Sequence, residues 1–200
     1  LDQSFRALPE EKTILFVGRL HPIKGLDLLI QAYAQVCQEI SDPVRLVLVG
    51  PDQGSREILS RLATALGVRD RVVFTGPLFG PEKEAILWSA DLFVMPSLTE
   101  GFSVAVLEAM AHRLPVIITD TCNFPEVVSE QAGLVVSRDV GRLARSLAVL
   151  LRDEERRKAM GRRGRHLVKK CFTWDSIAAQ FMRLYQESFQ QSLLTGLDSF

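Results

Sequence analysis

The chain has little cysteine or histidine to build with. Its three cysteines, Cys37, Cys122 and Cys171, are odd in number, far apart and without metal-ligand spacing. That excludes a disulfide framework or a zinc cluster and fits a reducing compartment. His21, His112 and His166 are equally scattered. Charge of one sign is also missing: 24 Lys and Arg cancel 24 Asp and Glu, so no global field recruits nucleic acid or an anionic membrane. No apolar run approaches the length of a bilayer span, and no signal peptide opens the chain. Repeats and low-complexity tracts are absent as well. So are G-x-G-x-x-G and G-x-x-x-x-G-K-[ST], the standard nucleotide fingerprints, and any D-x-D pair for a metal on a diphosphate. The expected setting is cytoplasmic. Because the chain opens on Leu1 and a polar, charged stretch, it reads as a piece of something longer.

What is present is an alternation. Short β-branched runs at 13–18, 44–50, 71–75, 92–95, 115–118 and 133–136 alternate with helical stretches. The helices are expected over 25–40, 55–66, 82–89, 103–112, 125–130, 139–151, 154–170 and 174–188. Each strand is nearly all apolar, as a strand covered on both faces should be. The expectation is an α/β domain with a doubly wound parallel sheet of about six strands and helices on both faces. Two hundred residues, 47% of them hydrophobic and 24% charged, suffice for one sizeable core of this kind. Residues 1–12 read as a linker remnant, 13–173 as the domain and 174–200 as a C-terminal helix and tail, with 189–200 frayed.

In such a sheet, ligands lie at the carboxyl ends of the strands. The loops there are 18–25, 50–54, 76–81, 96–103 and 119–125. The first, GRLHPIKG, places Arg19 and Lys24 on either side of a proline-containing turn, with Gly25 opening a helix. Arg offers a planar fork to phosphate oxygens and Lys a movable point charge. Two solvated surface charges are the plainer reading of this loop taken alone.

The stretch LTEGFSVAVLEAMA, residues 98–111, carries more. A helix should begin near Ser103, a natural N-cap. The backbone N–H groups around Gly101, Phe102 and Ser103 then form an anion site at the positive end of its dipole. Glu108 is the only charge from Ser103 to Ala111, a segment that looks built to be buried. A carboxylate there needs donors, and a ribose diol offers two in parallel. Glu100, across the expected phosphate, is placed to accept hydroxyl hydrogens from a sugar or to face a developing oxocarbenium ion. Taken singly, each glutamate reads as a solvated residue; their joint placement around one helix tip favours a site.

These residues resemble the C-terminal, donor-binding half of a glycosyltransferase family 4 (group 1) enzyme of the GT-B fold. The resemblance runs from about residue 12 to 188 and keeps the family's order: FVGRLHPIKG, LVLVGPDQG, VVFTGPL, ADLFVMPSLTEGFSVAVLEAMA, PVIITDTCNFPEVV and AGLVV. The closing MGRRGRHLVKKCFTWDSIAAQFMRLY resembles the family's terminal helices. The resemblance implies a Rossmann-like domain and, for the whole enzyme, retaining, metal-independent transfer of a hexosyl group. The substrate would be a nucleotide-diphosphate sugar such as UDP-glucose or GDP-mannose, with no cofactor. Arg19 and Lys24 would hold the diphosphate with the amides of Gly101, Phe102 and Ser103. Glu108 would bind ribose and Glu100 the transferred sugar, while Gly76 and Leu78 would face the base. Gly18 and Leu107 complete the expected donor site. The acceptor site would belong to an N-terminal domain that nothing here corresponds to. One departure stands out: CNFPEVV lacks the Gly-Gly often seen before this Pro-Glu-Val.

Two other readings compete. GFSVA is one residue from the G-x-S-x-G nucleophile elbow, which would pair Ser103 with Asp120 or Asp139 and His166. Six loop residues separate it from the strand, and Ala105 stands where Gly is needed, so the elbow does not form. A non-catalytic nucleotide-sugar-binding module is the other. The basic run 156–170, with eight Lys and Arg, could meet anionic lipid at the inner face of a membrane. As a plain helix face it would only be solvated. Trp88 and Trp174 read as core or hinge-packing residues.

Overall fold

The computed structural model describes residues 11–196, with side chains described over 11–189. Six strands alternate with helices: β1 (Lys12–Val17), α1 (Leu26–Glu39), β2 (Val44–Val49), α2 (Arg56–Ala65), β3 (Val72–Gly76), α3 (Gly80–Ser89) and β4 (Leu92–Met95). Then follow α4 (Val104–Ala111), β5 (Val116–Thr119), α5 (Glu126–Ser129), β6 (Gly133–Val136), α6 (Val140–Arg152), α7 (Glu154–Cys171) and α8 (Trp174–Gly196). All neighbouring strands pair in parallel, in the order β3-β2-β1-β4-β5-β6. The expected architecture is the one observed. The linker remnant falls mostly outside the described residues, although Lys12 already pairs within β1. The frayed tail is corrected as far as Gly196, because α8 continues to that residue.

The strands are apolar because both faces are covered. β4 and β5 are buried throughout, and α1 packs between α2 and α6 while α4 packs against α7. Burying a Leu, Ile or Phe side chain contributes roughly 1.5–3 kcal/mol, so the strand runs alone account for much of the fold's driving force. Arg157, inside the basic run, is buried: it donates to the carbonyls of Leu150 and Leu151 at 2.6 and 2.8 Å, satisfying the end of α6. The run is therefore not one uniform basic face.

Strand order decides where a ligand can sit. From β1 the chain winds out to β2 and β3, then returns to β4 and winds the other way. The exits of β1 and β4 diverge, and a crevice opens between them. Two backbone contacts fix its walls. Leu98 N–H donates to Ile23 C=O at 2.8 Å, and Gly25, at φ 63°, lies so close to Pro96 that any Cβ would strike its carbonyl. Only glycine meets both demands at this position.

Candidate functional site

The loop after β1 turns through a 3₁₀ segment, Pro22–Lys24, capped by His21, whose Nδ1 accepts from Ile23 N–H at 3.2 Å. That turn delivers Lys24 into the crevice. The loop after β4 delivers Glu100 from the other side, and the two form an ion pair. Ser97 Oγ donates to the same carboxylate oxygen, Oε1, at 2.8 Å. The pair is largely buried, with side-chain exposures of 14% for Lys24 and 11% for Glu100, which demands the geometry seen here. Among the described residues both of these bonds fall on Oε1, and Oε2 takes none.

The β5 exit buttresses this loop. Glu100 N–H donates to Thr121 C=O at 3.2 Å, while the hydroxyls of Thr119 and Thr121 both donate to Ser97 C=O, at 2.7 and 2.6 Å. Cys122, whose thiol is pushed up foremost by burial, donates to Met95 C=O. The missing Gly-Gly has a structural answer: Asn123 takes the left-handed conformation, φ 46°, which asparagine tolerates better than most residues.

Ser103 is the N-cap of α4 and accepts from Val106 N–H at 3.4 Å. Among the described residues, the N–H groups of Gly101, Phe102 and Ser103 donate to no protein acceptor. A Cβ at Gly101 would meet nothing within 4 Å, so the loop is open at that position, while Ser103 is buried. Unpaired N–H groups at a helix start carry the positive end of its dipole.

Glu108 corrects an expectation. The helix that carries it is not sealed: its side chain keeps 35% exposure and pairs with Lys83 of α3 at 2.6 Å through Oε1. Lys83 was not singled out in the sequence, because nothing local distinguishes it there. One turn on, His112 is satisfied, with Nδ1 on Glu108 C=O at 2.7 Å and Nε2 on Glu84 at 2.6 Å. Trp88 meets its ring edge-on at 5.1 Å. With 58% exposure Trp88 is not a core residue, and Trp174, at 88%, is not one either.

Arg19 is exposed and turned toward the β2 loop, where Nη1 donates to Gln53 at 3.0 Å. Leu20 bridges to Asp52 beside it, and Asp52 caps α2; the N–H of Arg56 foremost holds that carboxyl below its usual range. Gly18 begins the loop and donates to Val49 C=O. Leu78 and Leu107 pack against the core by part of their surface. The Gly76 carbonyl is taken up by Gly50 N–H and the Thr75 hydroxyl. A mostly apolar cavity of about 370 Å³ lies nearby, lined by His21, Leu26, Ile58, Leu98 and Arg138, and holds neither glutamate. Among the described residues no three His, Cys, Asp or Glu side chains gather as a metal-ligand set.

Fold and site together define a class: a doubly wound domain whose strand exits present a helix N-terminus, a lysine and two carboxylates at the switch point. The model of the family described as Glycosyl transferases group 1 matches residues 2–167. A GDP-mannose-dependent alpha-(1-6)-phosphatidylinositol monomannoside mannosyltransferase of Mycobacterium tuberculosis is 38% identical over 182 residues, covering 86% of this chain and 47% of the relative. A D-inositol 3-phosphate glycosyltransferase of Salinispora tropica is 36% identical over 191 residues, 90% of this chain and 39% of the relative. Among solved structures, the sucrose-phosphate synthase of Thermosynechococcus elongatus superposes with a TM-score of 0.77 at 33% identity, over 92% of this chain and 47% of that one. The chain belongs to the group 1 glycosyl transferases, and its sheet is that of the C-terminal half of the GT-B fold. It spans less than half the length of these relatives.

Proposed function

We propose that this chain is the donor half of a retaining, metal-independent glycosyltransferase. It would bind a nucleotide-diphosphate sugar, and a second domain would hold the acceptor. The observation that carries the reading is the Lys24–Glu100 pair set beside the open amides of Gly101–Ser103 at the switch point. An ammonium has three donors, so Lys24 can keep Glu100 and still reach a phosphate oxygen. Arg19, released from Gln53, adds a second cation from the same loop. Charge-assisted hydrogen bonds contribute about 1.5–3 kcal/mol each, so several together can neutralise a leaving diphosphate.

In this reading Glu108 accepts the ribose diol and Glu100 Oε2 accepts a sugar hydroxyl. Leu78 and the backbone at Gly76 lie toward the base, with Gly18 and Leu107 shaping the pocket. In the transfer, the bond from the anomeric carbon to the phosphate oxygen breaks and one to the acceptor oxygen forms on the same face. The acceptor proton passes to the departing phosphate. The relatives' names, one GDP-mannose-dependent and one an inositol-phosphate glycosyltransferase, support a hexosyl donor.

Calorimetry with UDP, GDP and ADP tests the reading. Glu108→Ala is expected to weaken nucleotide binding at least tenfold, about 1.4 kcal/mol or more. Glu100→Ala should leave free-nucleotide affinity within about twofold and lower transfer in a chain that carries the acceptor domain. Wild type and Glu108→Ala binding equally well would remove the ribose role, and no nucleotide binding at all would leave an interaction module.

A further inference from the structure

Three phenylalanines from separate parts of the chain meet beside the anion cradle. Phe102 lies in the loop before α4, Phe124 in the loop before α5, and Phe172 is the C-cap of α7. The ring centroids are 5.6 Å apart for Phe102–Phe124, 5.8 Å for Phe102–Phe172 and 5.5 Å for Phe124–Phe172, the last edge to face. These are spacings of attractive aromatic pairs. Of the three cradle residues, Gly101 has no side chain and the Ser103 hydroxyl turns back to its own helix. Phe102 supplies the cradle's aromatic contact with the α5 loop and the end of α7.

The far side of that contact is α7, which runs antiparallel along α4. Gly161 abuts the carbonyl of Arg113 just past the end of α4, Gly164 lies against Met110, and Phe172 meets Phe102 ahead of the start of α4. Residues 161 to 172 on one side and 113 down to 102 on the other cover equal lengths of chain, so the rod fixes both ends of α4. Phe172 also stands two residues before α8. That junction is tied by Ser176 Oγ to Lys170 C=O at 2.9 Å, Ser176 N–H to Thr173 Oγ1 at 3.2 Å and Gln180 Nε2 to Cys171 C=O at 3.3 Å. These bonds bracket Phe172 in the chain, with partners at Lys170 and Cys171 before it and Thr173 after it.

We propose that Phe124 and Phe172 are positioning residues for the Gly101–Ser103 cradle, acting through Phe102, and that the α7–α8 junction thereby sets donor affinity. The inference rests on the donor-site reading above. None of the extra rings touches substrate; each holds the loop whose amides do.

The test is Phe172→Leu in this chain, read by calorimetry with UDP and GDP and, without ligand, by amide hydrogen exchange at Glu100, Val106 and Leu107, whose hydrogen-bonded N–H groups flank the cradle. Exchange there should rise about three- to tenfold and affinity fall by a similar factor, the equilibrium equivalent of one aromatic pair. Trp174→Ala is the neighbouring control and leaves both unchanged, since that ring is 88% exposed. Phe102 is 53% exposed, so Phe102→Leu should fold normally and reproduce the effect. The double variant should then be no worse than the worse single, because both remove one coupling. If Phe172→Leu does not fold, Phe102→Leu and Phe124→Leu decide on the same readouts. Wild-type exchange and affinity in the folded variants overturn the proposal. Failure of the wild-type chain to bind either nucleotide defeats the donor reading instead, and the exchange rates still judge the positioning claim.

Discussion

At the scale of single residues, the site is a set of carboxylates each held by one oxygen. Glu100 is fixed through Oε1 by Lys24 and Ser97, and Glu108 through Oε1 by Lys83. In the proposed donor site each Oε2 is left for a hydroxyl and Lys83 aims Glu108, so Lys83→Met is expected to weaken nucleotide binding about two- to fivefold, the order of one charge-assisted contact shared with solvent. The loss should be smaller than that of Glu108→Ala, because the carboxylate itself remains. Competition calorimetry checks the order of the two, and unchanged or improved affinity in Lys83→Met would mean the pair competes with ribose. The glutamates were legible because of where they stand around a helix start. Lys83 was not, since its partner lies 25 residues away on another helix.

At the scale of elements, α4 depends on α7 for its place. Two opposing effects meet at Gly161. Ala in place of Gly inside a helix stabilises by about 1 kcal/mol from propensity alone. Here the new Cβ would run into the Arg113 carbonyl, backbone against backbone. Overpacking of that kind costs about 1–3 kcal/mol, so Gly161→Ala should be net destabilising by roughly 0–2 kcal/mol in urea melts. A variant more stable than wild type would show that α7 does not press on α4. The helices and strands were readable to within two residues except at the end of α8, which runs eight residues past the expected 188, because periodicity and terminal signals are local. Their partners were not: RRKAMGRRGRHLVKK reads as a basic helix, yet its glycines mark the contact line and its Arg157 is a buried clasp on α6.

At the scale of the whole molecule, α8 is exposed along most of its length. Phe181, Met182, Leu184 and Tyr185 all show more than half of their surface. Residues 182–189 therefore add little to the core, and a chain ending at Phe181 should melt within about 2–4 °C of the full chain, the shift expected for 1 kcal/mol at this size. It should also self-associate less in sedimentation velocity, since an exposed apolar patch is removed. A fall of melting temperature well beyond that range would show that the distal half of α8 packs. No described helix is long and apolar enough to cross a membrane.

The sequence by itself determined the order and type of the elements, the parallel sheet and the helix start capped by Ser103. These follow from patterns within one or two turns of chain, where apolar period, caps and glycine act directly. Only the tertiary structure decided that Lys24 meets Glu100 across 76 residues, that Lys83 pairs with Glu108, and that three phenylalanines meet beside the start of α4. Such meetings depend on strand order and helix packing. Those arise from the sum of many weak burial terms over the whole core, and no local window contains that sum.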